Sequence, residues 1–338
     1  MAGDRALAEM AARAAGRVGH RHQGLAVGVL SAGRAATVGV GHVEAGGRRI
    51  DGDTSFQIGS VTKAVTALLL TDAVVRGEVT LNQRLDTLIP LAANHRDGPP
   101  ITLGDLAMHT SGLPRLPPGL WRQGLRNRHD PYASFTTDDL IQALTTPPRW
   151  SAGRTVRYSN YGAGVLGEAL SRALGRPYHQ LVADRITGPL KMSRTATDRP
   201  MGDNIAEGHS RRRRPVTDWH LPALAGAGAL RSTATDMLAF LDAHLEPTAS
   251  PLAPAIELCV APRRQIRGAL RIGLGWHVLD RRRRAPMWWH NGGTGGYFSF
   301  VGFVPDSKVA IAVLTNTARS VDQLGMQLLD DIEDATER

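Results

Sequence analysis

A hydroxyl and an amine stand three residues apart in Ser60-Val61-Thr62-Lys63. On a helix, positions i and i+3 share a face, so the Lys63 amine can reach the Ser60 hydroxyl. Serine is a poor nucleophile until a neighbouring base takes its proton. A lysine set in an apolar stretch loses solvation, which lowers its pKa toward the neutral, proton-accepting amine. A helix start also favours negative charge developing near Ser60. The same residues equally fit an N-cap serine followed by a lysine that lays its stem on apolar surface. A second group is Arg157-Tyr158-Ser159-Asn160-Tyr161. A phenol there can relay a proton, and a carboxamide can both donate and accept. Its plainer reading makes Asn160 a helix cap and Tyr158 a packed aromatic. A third is Trp289-His290-Asn291-Gly292-Gly293-Thr294-Gly295-Gly296, between strand-like segments. Its glycines let backbone approach a ligand and offer an N–H to an oxyanion; a Gly-rich turn without catalytic meaning is the other possibility.

These groups need elements to hold them. Residues 5–18 read as an amphipathic helix, followed by strand-like runs at 25–30 and 36–43. A short strand at 54–58 leads through Gly59 into a helix at 60–76 that is apolar on most sides, the mark of a buried helix. From 80 to 230 the chain reads as helical pieces in Pro- and Gly-rich loops, with candidates at 103–109, 137–144, 160–174 and 178–187; another follows at 233–245. Strands at 297–304 and 309–315 flank a Pro305-Asp306-Ser307 turn, and a helix at 320–334 closes the chain. Strands at both ends with helices between predict an α/β (α+β) fold: a mixed, mainly antiparallel sheet built from both termini and flanked by helices. The expected division is a sheet domain from 1–79 and 231–338 with a mostly helical domain, 80–230, inserted into it. A small ligand would bind at their boundary.

Composition narrows the class. The 338 residues are 42% hydrophobic and 21% charged, a globular balance. No apolar run approaches the ~18 residues of a membrane span, and the N-terminal stretch lacks the central apolar block of a secretory signal, so a cytoplasmic location is expected. Cys259 is the only cysteine; no intrachain disulfide is possible, and its apolar neighbours suggest a buried, inert thiol. His20 and His22 form an HxH without an evident third ligand. The net charge is +9, and Lys63, Lys191 and Lys308 are the only lysines. Arginine runs at 211–214 and 281–284 could attract an acidic partner, but read more simply as solvated loop tips. No nucleic-acid module is recognisable. The match of Gly162-Ala163-Gly164-Val165-Leu166-Gly167 to a dinucleotide loop lacks its βαβ setting. No GxSxG elbow and no P-loop is present.

Taken together, the three groups resemble the serine β-lactamase-like superfamily of penicillin-recognising enzymes. The likeness is closest to the branch holding class C β-lactamases, D-alanyl-D-alanine carboxypeptidases and related esterases and transacylases. It extends to Phe56-Gln57-Ile58-Gly59, Ile101-Thr102-Leu103, His109-Thr110-Ser111-Gly112-Leu113-Pro114, Pro189-Leu190-Lys191-Met192, the stretch 226–233 and Gly273-Leu274-Gly275-Trp276. The resemblance implies Ser60 as the acylated nucleophile, with Lys63 and Tyr158 sharing general-base and relay work. It implies Asn160 as the group that positions Lys63 and the acyl side of the substrate, and the backbone N–H groups of Ser60 and Gly293 as the oxyanion hole. His290, Asn291 and Gly292 stand in its substrate-binding strand. His290 replaces the lysine of many relatives and removes a fixed charge that a substrate carboxylate would meet; Asn291 departs from the usual hydroxyl residue. His109 reads as turn structure. The expected function is a serine acyl-enzyme hydrolase acting on an ester or amide of a small molecule. The alternative is a transacylase passing the acyl group to an amine or alcohol. A carboxypeptidase, a true β-lactamase and a non-catalytic binding protein rank lower. This chemistry requires no metal or organic cofactor, and neither a nucleic-acid nor a membrane partner is expected.

Overall fold

Leu25, Val27 and Val29 alternate along one strand with Ala26, Gly28 and Leu30, and both sets are buried. A strand apolar on both faces belongs in the middle of a sheet covered on both sides. The computed structural model, which describes residues 2–89, 99–146, 151–197, 204–261 and 264–336, places it there. In chain order the elements are α1 (Ala2–Gly19), β1 (Gly24–Ser31), β2 (Arg34–Gly41), β3 (Phe56–Gln57), α2 (Thr62–Val75), α3 (Leu103–Ala107), α4 (Leu120–Arg126), α5 (Thr137–Ala143), α6 (Asn160–Leu174), α7 (Tyr178–Val182) and α8 (Ala225–Gly228). They continue with β4 (Arg231–Ser232), α9 (Ala234–Leu245), α10 (Ala253–Val260), β5 (Arg264–Arg267), β6 (Leu270–Ile272), β7 (His277–Leu279), β8 (Met287–Gly293), β9 (Phe298–Val304), β10 (Val309–Thr315) and α11 (Asp322–Thr336).

Eight strands form one sheet in the order β2-β1-β10-β9-β8-β7-β6-β5, with every neighbouring pair antiparallel. Both chain ends therefore feed one sheet, as the sequence pattern predicts. On its outer face Leu25, Val27, Val29, Ile311 and Val313 pack with Leu7, Ala11 and Ala15 of α1 and Leu328, Leu329 and Ile332 of α11. On its inner face small residues dominate: Ala26, Gly28, Ala310 and Ala312 let α9 lie close, and a Cβ on Gly28 would stand 2.9 Å from Leu238 Cγ. Beyond α9 the inner core continues through α2 into the helical part of the molecule.

Several expectations shift. The strand expected at 54–58 shrinks to β3, which pairs only with β4 outside the large sheet. Strands β5 to β7 escape the sequence pattern because each has only three or four residues, too few to display alternation. The helix expected at 178–187 is α7 followed by a wider π turn at Ala183–Thr187. The glycines at 162–167 lie inside α6, where Gly167 meets Gly226 of α8 backbone to backbone; they are a helix contact, not a phosphate loop. The arginine run at 281–284 is partly an internal clamp: Arg281 binds Asp330 and Glu333 of α11, and Arg284 binds Asp334. Cys259 is buried, with its thiol 3.3 Å from the Leu274 carbonyl. No described helix is long and apolar enough to cross a membrane.

Candidate active site

The serine is presented by a turn only glycine permits. Gly59 has φ +49°, and a Cβ there would also lie 2.7 Å from the Gly293 nitrogen. A 3₁₀ turn, Gly59–Val61, then runs directly into α2, so Ser60 projects from the start of that helix. Residues 62 to 73 of α2 are all buried, Lys63 included, at 3% exposure. The Lys63 Nζ donates to Ser60 Oγ at 2.9 Å and to the Ala227 carbonyl of α8 at 2.7 Å. Burial, aided by the Arg115 guanidinium, holds the lysine well below its usual pKa. The snorkelling alternative is thus excluded: the amine is inside, against the hydroxyl.

Tyr158 and Asn160 are set by the start of α6. Its N-cap is Ser159, whose Oγ accepts the Gly162 N–H at 2.8 Å and donates to the Pro114 carbonyl at 2.7 Å. Asn160 is therefore not the cap, and its Oδ1 is buried without a partner among the described residues. The Tyr158 ring centroid lies 4.9 Å from Lys63 Nζ and 4.5 Å from the His109 ring. Burial pushes its phenol up to about 12, with a hydrogen bond to Ser60 opposing. At neutral pH it is a proton donor and not a phenolate. His109 has φ +58°, and its Nδ1 accepts the Ser159 N–H at 3.3 Å, which puts the ring proton on Nε2. It is turn structure, as expected, but a turn that buttresses Tyr158.

The sheet supplies the third side through β8. A Cβ on Gly292 would stand 2.0 Å from the Ile58 carbonyl and 2.9 Å from the Ser60 nitrogen. That lack of a side chain lets β8 lie against the serine turn, with the Gly293 backbone close to Gly59 and lining the same slot as Ser60. Ser299 of β9 secures the approach by donating to the Ile58 carbonyl at 2.7 Å. His290 shares the inner face with Gly292, and its Nδ1 donates to the Asn291 carbonyl at 2.6 Å. The ring is buried and neutral, its pKa held well below the usual imidazole value by desolvation, and Nε2 has no partner among the described residues. Asn291 does not join the site. Its register partner is Phe300 of the outer core, and its amide donates to Asp322 of α11 at 2.8 Å. Strand alternation decides this: neighbours of His290 and Gly292 must point the other way.

Four residues at the site carry no obvious sequence signal. His277 of β7 packs 5.3 Å from His290 and 6.3 Å from Tyr158, centroid to centroid, and burial lowers its pKa to about 4. It directly follows the Gly273-to-Trp276 run, the one hint available. Arg115, next after Pro114, stands over Tyr158. Tyr132 and Trp219 meet at 5.3 Å and wall a slot of about 30 Å³ over Ser60, lined also by Asn160, Leu221 and Gly293. The wall is tied by His220 to Asp130 at 2.6 Å and by Gln57 Nε2 to the Trp219 carbonyl at 2.8 Å. Elsewhere, His22 of the HxH hydrogen-bonds Thr315, and no cluster of three or more metal-ligating side chains exists among the described residues.

Comparison with known proteins gives the family. The sequence profile described as Beta-lactamase matches residues 5–331. The chain is 29% identical over 282 residues to the D-alanyl-D-alanine-carboxypeptidase/endopeptidase AmpH of Escherichia coli K12, covering 78% of this chain and 72% of that protein. It is 28% identical to penicillin-binding protein 4 of Amycolatopsis lactamdurans, over 89% and 82% of the two chains. The solved structure of a β-lactamase/D-alanine carboxypeptidase from Pseudomonas syringae superimposes with a TM-score of 0.84 at 21% identity, covering 96% of this chain and 99% of that one, and so shares the fold. A profile match over nearly the whole chain, on a fold that brings a buried lysine against a helix-start serine, makes this protein a member of the β-lactamase family of serine hydrolases.

Proposed function

We propose that the protein is a serine acyl-enzyme hydrolase that cleaves an ester or amide of a small molecule. The observation that carries this reading is the 2.9 Å contact between Lys63 Nζ and Ser60 Oγ in surroundings that hold the lysine well below its usual pKa. Neutral Lys63 takes the Ser60 proton as Oγ attacks the carbonyl carbon. The carbonyl oxygen, now negative, is held by the N–H groups of Ser60 and Gly293. Tyr158, kept protonated by burial, passes a proton to the leaving group and is reprotonated from Lys63. Water, or another nucleophile, then reverses the sequence and frees Ser60. Asn160 offers its unpartnered Oδ1 to the acyl half of the substrate.

A biosynthetic transacylase is the second reading. Tyr132, Trp219, Leu221 and Leu224 line the slot and limit the water that can reach the acyl-enzyme. A neutral His290 weighs against strong recognition of a carboxylate at that position, and hence against efficient turnover of β-lactams or D-alanyl-D-alanine peptides. The deciding experiment is intact-protein mass spectrometry after brief exposure to an activated short-chain ester, for wild type and Ser60→Ala. An adduct in the wild type alone is expected. Its decay to free acid in water supports hydrolysis, and its capture by added amine or alcohol supports transfer. No adduct and no ester turnover in the wild type overturns the mechanism.

A further inference from the structure

Around the Ser60 slot the imidazoles carry no fixed charge: His290 and His277 on the sheet, and His109 packed against Tyr158, are all kept neutral by burial. A permanent cation stands close by. Arg115 is exposed, and its guanidinium carbon lies 5.4 Å from the Tyr158 ring centroid. Its backbone is fixed to the start of α6, because its carbonyl accepts the N–H groups of Asn160 at 2.9 Å and Tyr161 at 3.2 Å. Among the described residues no carboxylate lies within ion-pair distance of this guanidinium, whereas Arg185, Arg231 and Arg281 each hold at least one. The guanidinium therefore sits at the rim beside the Tyr158 ring, on a backbone joined to that of Asn160, the residue offered to the acyl half of the substrate.

Chemistry decides which part of a substrate meets that rim. The carbonyl oxygen must face the Ser60 and Gly293 N–H groups. The leaving group must face its proton donor, Tyr158, with Lys63 behind it. The remaining substituent, the acyl chain, extends between Asn160 and the Tyr132–Trp219 wall. We propose that Arg115 is the anion-binding residue of this site, and that the preferred acyl donor carries a carboxylate on its acyl half. The inference rests on the acyl-enzyme reading above. A guanidinium fork offers a carboxylate two parallel N–H···O bonds, a pairing that neutral imidazoles cannot supply.

The test uses three activated aryl esters: a para-nitrophenyl half-ester of glutaric acid, its methyl-capped neutral counterpart, and a para-nitrophenyl-type butyrate with the carboxylate on the leaving group. The readout is the ratio of kcat/KM for each charged ester to the neutral one, in wild type, Arg115→Gln and Arg115→Lys. A ratio cancels the influence of Arg115 on Lys63, which acts on every ester alike. For the acyl-half anion the wild-type ratio should be about tenfold to a hundredfold, the range of a charge-assisted hydrogen bond. It should collapse in Arg115→Gln, survive in part in Arg115→Lys, and shrink with added salt. A wild-type ratio near one, a ratio unmoved by Arg115→Gln, or a preference for the leaving-group carboxylate overturns the proposal. If the neutral ester acylates Ser60 while the ratio does not move, only this inference fails. If no ester acylates Ser60, the acyl-enzyme reading fails and takes this inference with it.

Discussion

Gly292→Ala tests the argument that a missing side chain builds the oxyanion site. The new Cβ would fall 2.0 Å from the Ile58 carbonyl oxygen and 2.9 Å from the Ser60 nitrogen, where real Cβ atoms essentially never approach within 3.0 Å. Ser299 Oγ, only 2.5 Å from the same point, blocks a sideways escape while it donates to Ile58. The strand end and the serine turn must therefore separate by at least about 1 Å. An N–H aimed at a developing oxyanion from about 2.9 Å then sits near 3.9 Å and no longer counts as a hydrogen bond. Loss of one such donor costs about 10²–10³ in rate, or roughly 2.7–4 kcal/mol of transition-state stabilisation. The assay is the single-turnover acylation rate with a neutral activated ester, followed by adduct mass, with thermal melting to establish that the variant folds. The rate should fall by that factor while the apparent ester affinity changes little, since the ground-state carbonyl needs the donor less. A folded Gly292→Ala protein acylating within about threefold of the wild type would refute the oxyanion assignment of Gly293.

Three further outcomes follow from buried charge. The folded Lys63 titrates well below the unfolded lysine, so between those two values the unfolded chain holds a proton that the folded chain lacks, and stability rises with pH. Urea melts near pH 8 and pH 10 should show the wild type gaining about 1.4 kcal/mol per pH unit relative to Lys63→Met; a gap independent of pH contradicts the buried neutral amine. His244 is buried against Phe240, Trp276 and Phe303, and burial lowers its pKa to about 4, so stability is lost as pH falls from 6.5 toward that value. The loss should be of order 3 kcal/mol and largely absent in His244→Phe, as read by guanidinium melts at neutral and acid pH. Arg281→Gln leaves Glu333, only 5% exposed, with a hydrogen bond from Ser307 and the Arg284 guanidinium at 3.8 Å as its remaining cation, and should cost about 2 kcal/mol. The double variant with Glu333→Gln should recover part of that cost, and equal losses in single and double variants would argue against a buried ion pair.

The candidate constellation was legible because each member sits at a local landmark. Ser60 and Lys63 share one helical turn, Tyr158 and Asn160 bracket a helix start, and Gly292 and Gly293 end a strand. Local rules of capping, periodicity and glycine geometry reach that far. They fell short where a side chain's direction depends on its neighbours. Asn291 turns to α11 because His290 must face inward. Asn160 is freed for the site because Ser159 takes the cap. The short strands β5 to β7 exist because β8 offers an edge, not because their own residues alternate.

The sequence by itself determined which groups could meet. A serine one turn before a lysine, in a mostly apolar stretch, puts a hydroxyl and an amine on one helix face, whether the amine is buried against the hydroxyl or reaches out to solvent. Helix propensity, hydrophobic periodicity and side-chain reach all act within a few residues, so this much is written locally. The tertiary structure alone decided the surroundings in which that pair works. Residues 115, 132, 158, 219, 277 and 290 come from six separate stretches of chain, and nothing in any one stretch names the others. Packing of α2 between the sheet and α8 sets the dielectric around Lys63. The fold holds three imidazoles neutral around Tyr158 and leaves the Arg115 guanidinium 5.4 Å from the same ring. Charge acts through space and burial depends on the whole fold, so these properties do not exist until the chain has folded.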